Sequence, residues 1–229
     1  MIHLYALARG SILPPGLVGV EGAELEIVPC GAIDAVVSEH ARPPPTDRAS
    51  ALRHATVVAA VAERAEVVPV RYGVQHHDRA ALQGGVAAAE TELLRSLRRV
   101  GGHVEFVIRH ERVASPAGRQ PDRAPEVPVS EEQPGRRYLE HRLAEQRRAR
   151  HAEQVATAEL RALTRPLDGK AAVVVEHSGP HGPERCFLVE REALAVFTAA
   201  ASSCLRDREE LVLGGPWPPY TFATEELGT

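Results

Sequence analysis

Eleven histidines and three cysteines are the residues of this 229-residue chain best suited to binding a metal or attacking a substrate, and their spacing assembles neither site. His76 and His77 are adjacent, so their rings do not easily share one ion, and no HExxH or clustered His/Cys/Asp spacing occurs. His54 stands alone in an Ala/Val-rich helical stretch and is expected to be a hydrogen-bonded, partly buried side chain. Cys30, Cys186 and Cys204 form no CxxC, which argues against a disulfide scaffold and a zinc knuckle alike. Glu24 and Glu26 share one face of a strand, where solvent contact is expected rather than acid–base work. A phosphate loop ending in Lys-Ser/Thr, a GxSxG turn and a recognisable Cys–His pattern are all missing. The chain is therefore expected not to be an enzyme and to use no cofactor or metal.

Three other groups suit recognition rather than catalysis. The run 214–222, GGPWPPYTF, sets three prolines around the only tryptophan, so its backbone has little freedom and is not expected to continue a strand or helix. It offers Trp217, Tyr220 and Phe222 either as a partner-binding ledge or as a strap packed across a domain junction. The strap is favoured, because a stiff aromatic tail loses little entropy on docking. Residues 136–165 carry eight Arg and four Glu, which reads either as a basic face or as a solvated helix with pairs such as Arg136/Glu140 and Glu145/Arg148. Residues 67–73, VVPVRYG, form either an exposed edge with Arg71 as a charged contact or, preferably, a core strand.

The elements that must position these groups follow from the hydrophobic pattern. Apolar residues make up 44%, charged residues 25% and aromatics 4%, so a core must be built from Val, Leu, Ile and Ala. A net charge of −4 gives no general pull toward nucleic acid or anionic membrane. The N-terminus lacks a basic n-region, and the longest apolar runs fall short of the ~20 residues of a membrane helix, so a cytoplasmic protein with no membrane association is expected. Strands are predicted at 2–8, 24–28 and 32–38, and a helix from Thr46 or Asp47 to Ala65. A further helix is capped by Asp78, with Leu82, Val86, Ala89, Leu93, Leu97 and Val100 on one face. Then come a strand at 103–111, a proline-rich flexible insert at 114–135, and a long helix from Gly135 with an apolar stripe that includes Leu139, Leu143, Leu160 and Leu163. Strands at 171–177 and 185–190, a helix at 191–208 and a last strand at 210–213 complete the chain.

The predicted fold class is α+β in two domains. Residues 1–100 form an N-terminal α+β domain. Residues 101–229 follow the ferredoxin-like order β-α-β-β-α-β, with the insert at 114–135 and the Pro/aromatic tail at 214–223.

The tail resembles the closing GPWPPYSF motif of the GvpF/GvpL gas vesicle proteins, with Thr221 where serine is common. Tyr5, the run ending in AIDAVVS, His54 with Val57 and Val58, VPVRYG at 68–73, GHVEFV at 102–107 and GRRYL at 135–139 resemble further motifs of that family in the same order. Phe106 stands where the family often has tryptophan, and nothing separates the F branch from the L branch. The resemblance implies an accessory protein, without enzymatic activity or cofactor, that binds the small hydrophobic major shell subunit. Such a protein acts early in vesicle assembly, alongside other gas vesicle accessory proteins, and can remain as a minor component of the vesicle. The partner-binding candidates are Arg71 and Tyr72 from the first domain and Trp217 and Tyr220 from the second. The rival reading is an RNA-binding protein of RRM type, for which only Phe106 and Phe187 would be available to stack on bases.

Overall fold

The structure, a computed structural model, describes residues 1–10, 13–110, 134–179 and 182–223, with the side chains of 134–137, 139 and 140 left out. The predicted insert therefore lies almost wholly outside the described residues.

The first half of the chain builds one antiparallel sheet between two helices. Strand β1 (Ile2–Arg9) is central, flanked by β3 (Ile33–Glu39) on one side and by β4 (Glu66–Pro69) and β5 (Gln75–His76) on the other, with β2 (Leu25–Cys30) outside β3. Every residue of β1 except Arg9 is buried, so the strand reads as an unbroken apolar run rather than an alternation. A shift in its pairing with β3 between Leu4 and Ala6 changes the parity of the strand. Ile2, Leu4 and Leu7 thereby face one core, while Tyr5, Ala6 and Ala8 face the other. The β2–β3 hairpin turns on Gly31 at φ 71°, where a Cβ would lie 2.9 Å from Glu90 Oε1.

Both helices begin as the sequence predicts. Asp47 caps α1 (Arg48–Ala62) by accepting from the Ser50 amide at 2.7 Å, and Asp78 caps α2 (Arg79–Val100) by accepting from Ala81 at 2.8 Å. Val57, Val58 and Val61 of α1 pack on the Tyr5 face. Leu82, Val86, Leu93, Leu97 and Val100 of α2 pack on the Leu4/Leu7 face. That second core continues into Cys186, Leu188, Phe222 and Ala223, so one apolar cluster joins the two halves of the chain.

The second half builds a four-stranded antiparallel sheet from β6 (His103–His110), β7 (Val173–Gly179), β8 (Gly182–Glu190) and β9 (Leu211–Trp217), in the order β7-β8-β6-β9. One face carries Val104, Phe106, Ile108, Phe187 and Val189 under Leu160 of α3 (Pro134–Thr164) and Phe197 and Ala201 of α4 (Leu194–Leu205).

Two expectations need correction. Helix α3 has 31 residues, about 46 Å at 1.5 Å per residue, but among its described side chains the buried ones lie in its C-terminal part. Leu143, placed on the apolar stripe by its spacing, is exposed, as are Ala149 and Ala152. The last strand, expected to stop at Leu213, runs on through Gly214, Gly215 and Pro216 to Trp217, with a cis Gly215–Pro216 bond. Proline is tolerated there because β9 is an edge strand whose outer side needs no donor, and a pairing shift opposite Glu105 and Val107 accommodates the irregular backbone.

Candidate functional site

The tail that follows β9 docks against both halves of the chain. Pro218 and Pro219 are buried, Tyr220 packs on the Tyr5 core, and Phe222 and Ala223 enter the core that joins the two sheets. Arg99, at the C-terminal end of α2, donates to the Phe222 carbonyl at 2.5 Å. Arg191 ties the halves a second time by donating to the Ala62 carbonyl at the end of α1, 2.8 Å away.

Glu105 of β6 is the electrostatic centre of this junction. It is only 4% exposed, and its carboxylate accepts from the Thr221 amide at 2.8 Å and the Thr221 hydroxyl at 2.6 Å. Burial pushes the Glu105 carboxyl above its usual range, and the two hydrogen bonds from Thr221 oppose that rise. The same surroundings raise the Cys186 thiol to about 12, chiefly by burial, so Cys186 packs beside Glu105 as a neutral thiol. The Tyr220 hydroxyl is raised too, by burial first and by the nearby Glu105 charge second. Trp217, expected to anchor the tail with Tyr220 and Phe222, instead stands 54% exposed at the end of β9.

Tyr72 belongs to a second polar network, built around His3 and Tyr5 of β1. His54 Nε2 lies 2.8 Å from the Val70 carbonyl and must donate to it, which leaves Nδ1 of the neutral ring as an acceptor for His3 Nε2–H at 3.0 Å. Among the described residues His3 Nδ1 then has no partner and is a buried lone pair. Beside it the Val20 amide donates to Tyr5 Oη at 2.8 Å, Tyr5 Oη lies 2.9 Å from Ser38 Oγ, and Ser38 Oγ lies 2.8 Å from His40 Nε2. Burial holds all three histidines below the usual imidazole range, His3 down to about 3. The Tyr72 ring lies 5.3 Å from His3 and 5.5 Å from His54, and its hydroxyl donates to the Pro45 carbonyl.

Tyr72 and Tyr220 thus reach the same apolar cluster with different neighbours, whereas Arg71 and Trp217 are exposed. Neither Glu105 nor His3 was singled out by sequence. Their partners Thr221 and His54 lie 116 and 51 residues away, and no local spacing encodes such pairs. The rings proposed for RNA stacking are buried, since Phe106 and Phe187 pack on Phe197 at 4.8 and 5.4 Å. Among the described residues no group of three or more His, Cys, Asp or Glu is placed to hold a metal ion, and no helix is long and apolar enough to cross a membrane.

A family model described as "Gas vesicle synthesis protein GvpL/GvpF" matches residues 1–224. The chain belongs to that family. Gas vesicle protein L from Streptomyces sp. (strain CB03234) is 25% identical over 249 aligned positions, covering 96% of this chain and 92% of the relative. The crystal structure of gas vesicle protein GvpF from Microcystis aeruginosa matches the fold with a TM-score of 0.68 at 15% identity, covering 97% of this chain and 98% of the other. GvpF from Anabaena sp. PCC7120 matches with a TM-score of 0.67 at 17% identity, covering 97% and 95%. Membership of the GvpL/GvpF family supports a gas vesicle related role.

Proposed function

We propose that this protein is a non-enzymatic assembly factor of the gas vesicle that binds the hydrophobic major shell subunit, limits its aggregation and aids nucleation. The observation that carries this reading is Trp217. A large aromatic side chain is held 54% exposed on a backbone stiffened by Pro216, Pro218 and Pro219 and strapped down by Tyr220 and Phe222. Exposing such a ring is unfavourable in an isolated molecule, while a pre-ordered aromatic anchor loses little entropy when a partner covers it. Exposed Arg71 and half-buried Tyr72 supply the first-half contacts of the same proposal, with Tyr220 fixing the tail. The antiparallel order β7-β8-β6-β9, with α3 and α4 on one face, supports reading residues 101–229 as ferredoxin-like. In this account the protein works in the cytoplasm with other accessory proteins, needs no cofactor, and can remain in the finished vesicle.

The test is co-expression with the major shell subunit, followed by affinity pull-down and a solubility assay, for the natural chain and for Trp217→Ala. The reading expects the subunit to stay soluble and to co-purify, and expects Trp217→Ala to reduce both. Equal recovery with Trp217→Ala would remove Trp217 from the interface.

A further inference from the structure

The chain between β1 and β2, described from residue 13, lies on the Tyr5 face of the first sheet through Leu13, Leu17 and Val20. Val20 is wholly buried, and its amide donates to Tyr5 Oη at 2.8 Å. Gly19 permits this approach, since a Cβ there would lie 2.4 Å from Tyr5 Oη. Next along the chain, Glu21 has φ 53°, in the left-handed region that a residue other than glycine adopts only at a cost. Its carboxylate reaches back to His40 Nδ1 at 3.7 Å and to Arg42 at 4.0 Å. One tyrosine and one histidine thus hold a strained connection against the sheet.

The hydrogens of this cluster run in one direction. His40 presents Nδ1 to the Glu21 carboxylate, so the neutral ring carries its hydrogen there and accepts at Nε2. Ser38 Oγ then donates to His40 Nε2 at 2.8 Å, Tyr5 Oη donates to Ser38 Oγ at 2.9 Å, and Tyr5 Oη accepts from Val20. A proton on Nε2 turns that atom into a donor. Ser38 must accept from it and turn its own hydrogen toward Tyr5 Oη, whose phenolic hydrogen then has no other partner among the described residues. Tyr5 and Ser38 are both 0% exposed, so bulk water does not supply one. The charges around His40 are few. The loop brings Glu21, shared with Arg42, and β1 brings the His3 ring at 6.1 Å, while the N-terminal ammonium donates to the His40 carbonyl at 2.8 Å. Helix α1 and the chain after β4 present His54 and Tyr72 to His3. Burial holds the His40 imidazole below its usual range, against the pull of Glu21 and with help from the ammonium.

We propose that the run Glu21–His40–Ser38–Tyr5–Val20 is an acid-sensitive latch: a proton on His40 reverses it, and residues 13–23 lift away while both sheets stay closed. Opening uncovers the apolar Tyr5 face beside Tyr72, so the chain presents additional apolar surface in acid and hides it at neutral pH. The ring takes its proton more readily in the open form. The closed form therefore holds above pH 6.5 and yields as pH falls, with the opening equilibrium rising by up to about tenfold per unit. The inference does not depend on which protein Trp217 contacts.

The test is amide hydrogen exchange of the full chain between about pH 7.5 and 5.5, corrected for the intrinsic pH dependence of exchange, with the His40 ring followed by NMR. The Gly19, Val20 and Ala23 amides, each hydrogen-bonded in the closed form, should open about threefold or more as often at the lower pH, in step with protonation of His40. The amides of β1 should stay slower by about tenfold or more throughout, because they open only with the sheet. His40→Gln keeps a donor and an acceptor but does not titrate, and it should remove the acid response of the three loop amides. No response in the natural chain, a response offset from the His40 titration, or one rate shared by the loop and β1 would overturn the latch. So would an acid response that survives in His40→Gln.

Discussion

Replacing Thr221 with valine keeps the shape of the side chain and removes one hydroxyl, so it isolates the charged contact that holds the tail to β6. Thr221 Oγ1 donates to Glu105 at 2.6 Å, and Glu105 is buried. A hydrogen bond to a charged group contributes roughly 1.5–3 kcal/mol, and its loss leaves the carboxylate with the Thr221 amide and the Cys186 thiol. For a chain of this length each kcal/mol moves the thermal midpoint by about 2–4 °C, so a drop of roughly 3–12 °C at neutral pH is expected. The pH dependence makes the test specific. Burial raises the Glu105 carboxyl above its ordinary 4.5, so the folded chain holds the extra proton longer and stability falls as pH rises through that window. Removing the hydroxyl extends the window upward, so the deficit of the variant should be small near pH 4.5 and grow toward pH 7.5. Urea unfolding of both proteins at several pH values reads this difference, and acid effects common to both cancel. A deficit independent of pH, or no deficit, would refute the role given to Glu105.

Three further outcomes follow from the same geometry. Phe222→Ala should lower stability by about 3–5 kcal/mol in urea unfolding, because a buried ring leaves the core that joins both sheets. Trp217→Ala, by contrast, should change stability by less than about 1 kcal/mol, since the side chain is half exposed, and a larger loss would make Trp217 an anchor after all. His3 has a folded-state value near 3, far below its unfolded 6.5, so the unfolded chain binds the proton first. Its contribution is complete above pH 6.5 and is lost as pH falls, by ~2 kcal/mol between pH 6.5 and 5. A urea midpoint that stays level across that interval would contradict the neutral His3–His54 pair.

Much of the element order was legible because it is written in local patterns. The Asp47 and Asp78 caps lie within three residues of the amides they bind, and the stripe from Leu82 to Val100 repeats at helical spacing. What was illegible depends on long-range register. The pairing shift in β1 is set by β3, so the run IHLYALA could not reveal which residues face which core. Leu143 has the spacing of a packed residue but no sheet beneath it, because α3 is longer than the sheet it crosses. The Pro/aromatic tail stood out by composition, yet its real tether, Glu105 to Thr221, joins residues with no local signal. Trp217 was read as an anchor on chemistry alone, and only the course of β9 places it outside.

We propose that this member of the GvpL/GvpF family holds the major shell subunit through the surface that displays Trp217. The most direct measurement is pull-down of the shell subunit from cells co-expressing it with the natural chain or with Trp217→Ala, with unfolding curves of both proteins alongside. The natural chain is expected to keep the subunit soluble and to co-purify with it, while the equally stable Trp217→Ala does so poorly. An aggregated subunit, with none recovered on the natural chain, would contradict direct binding and point to action through other accessory proteins.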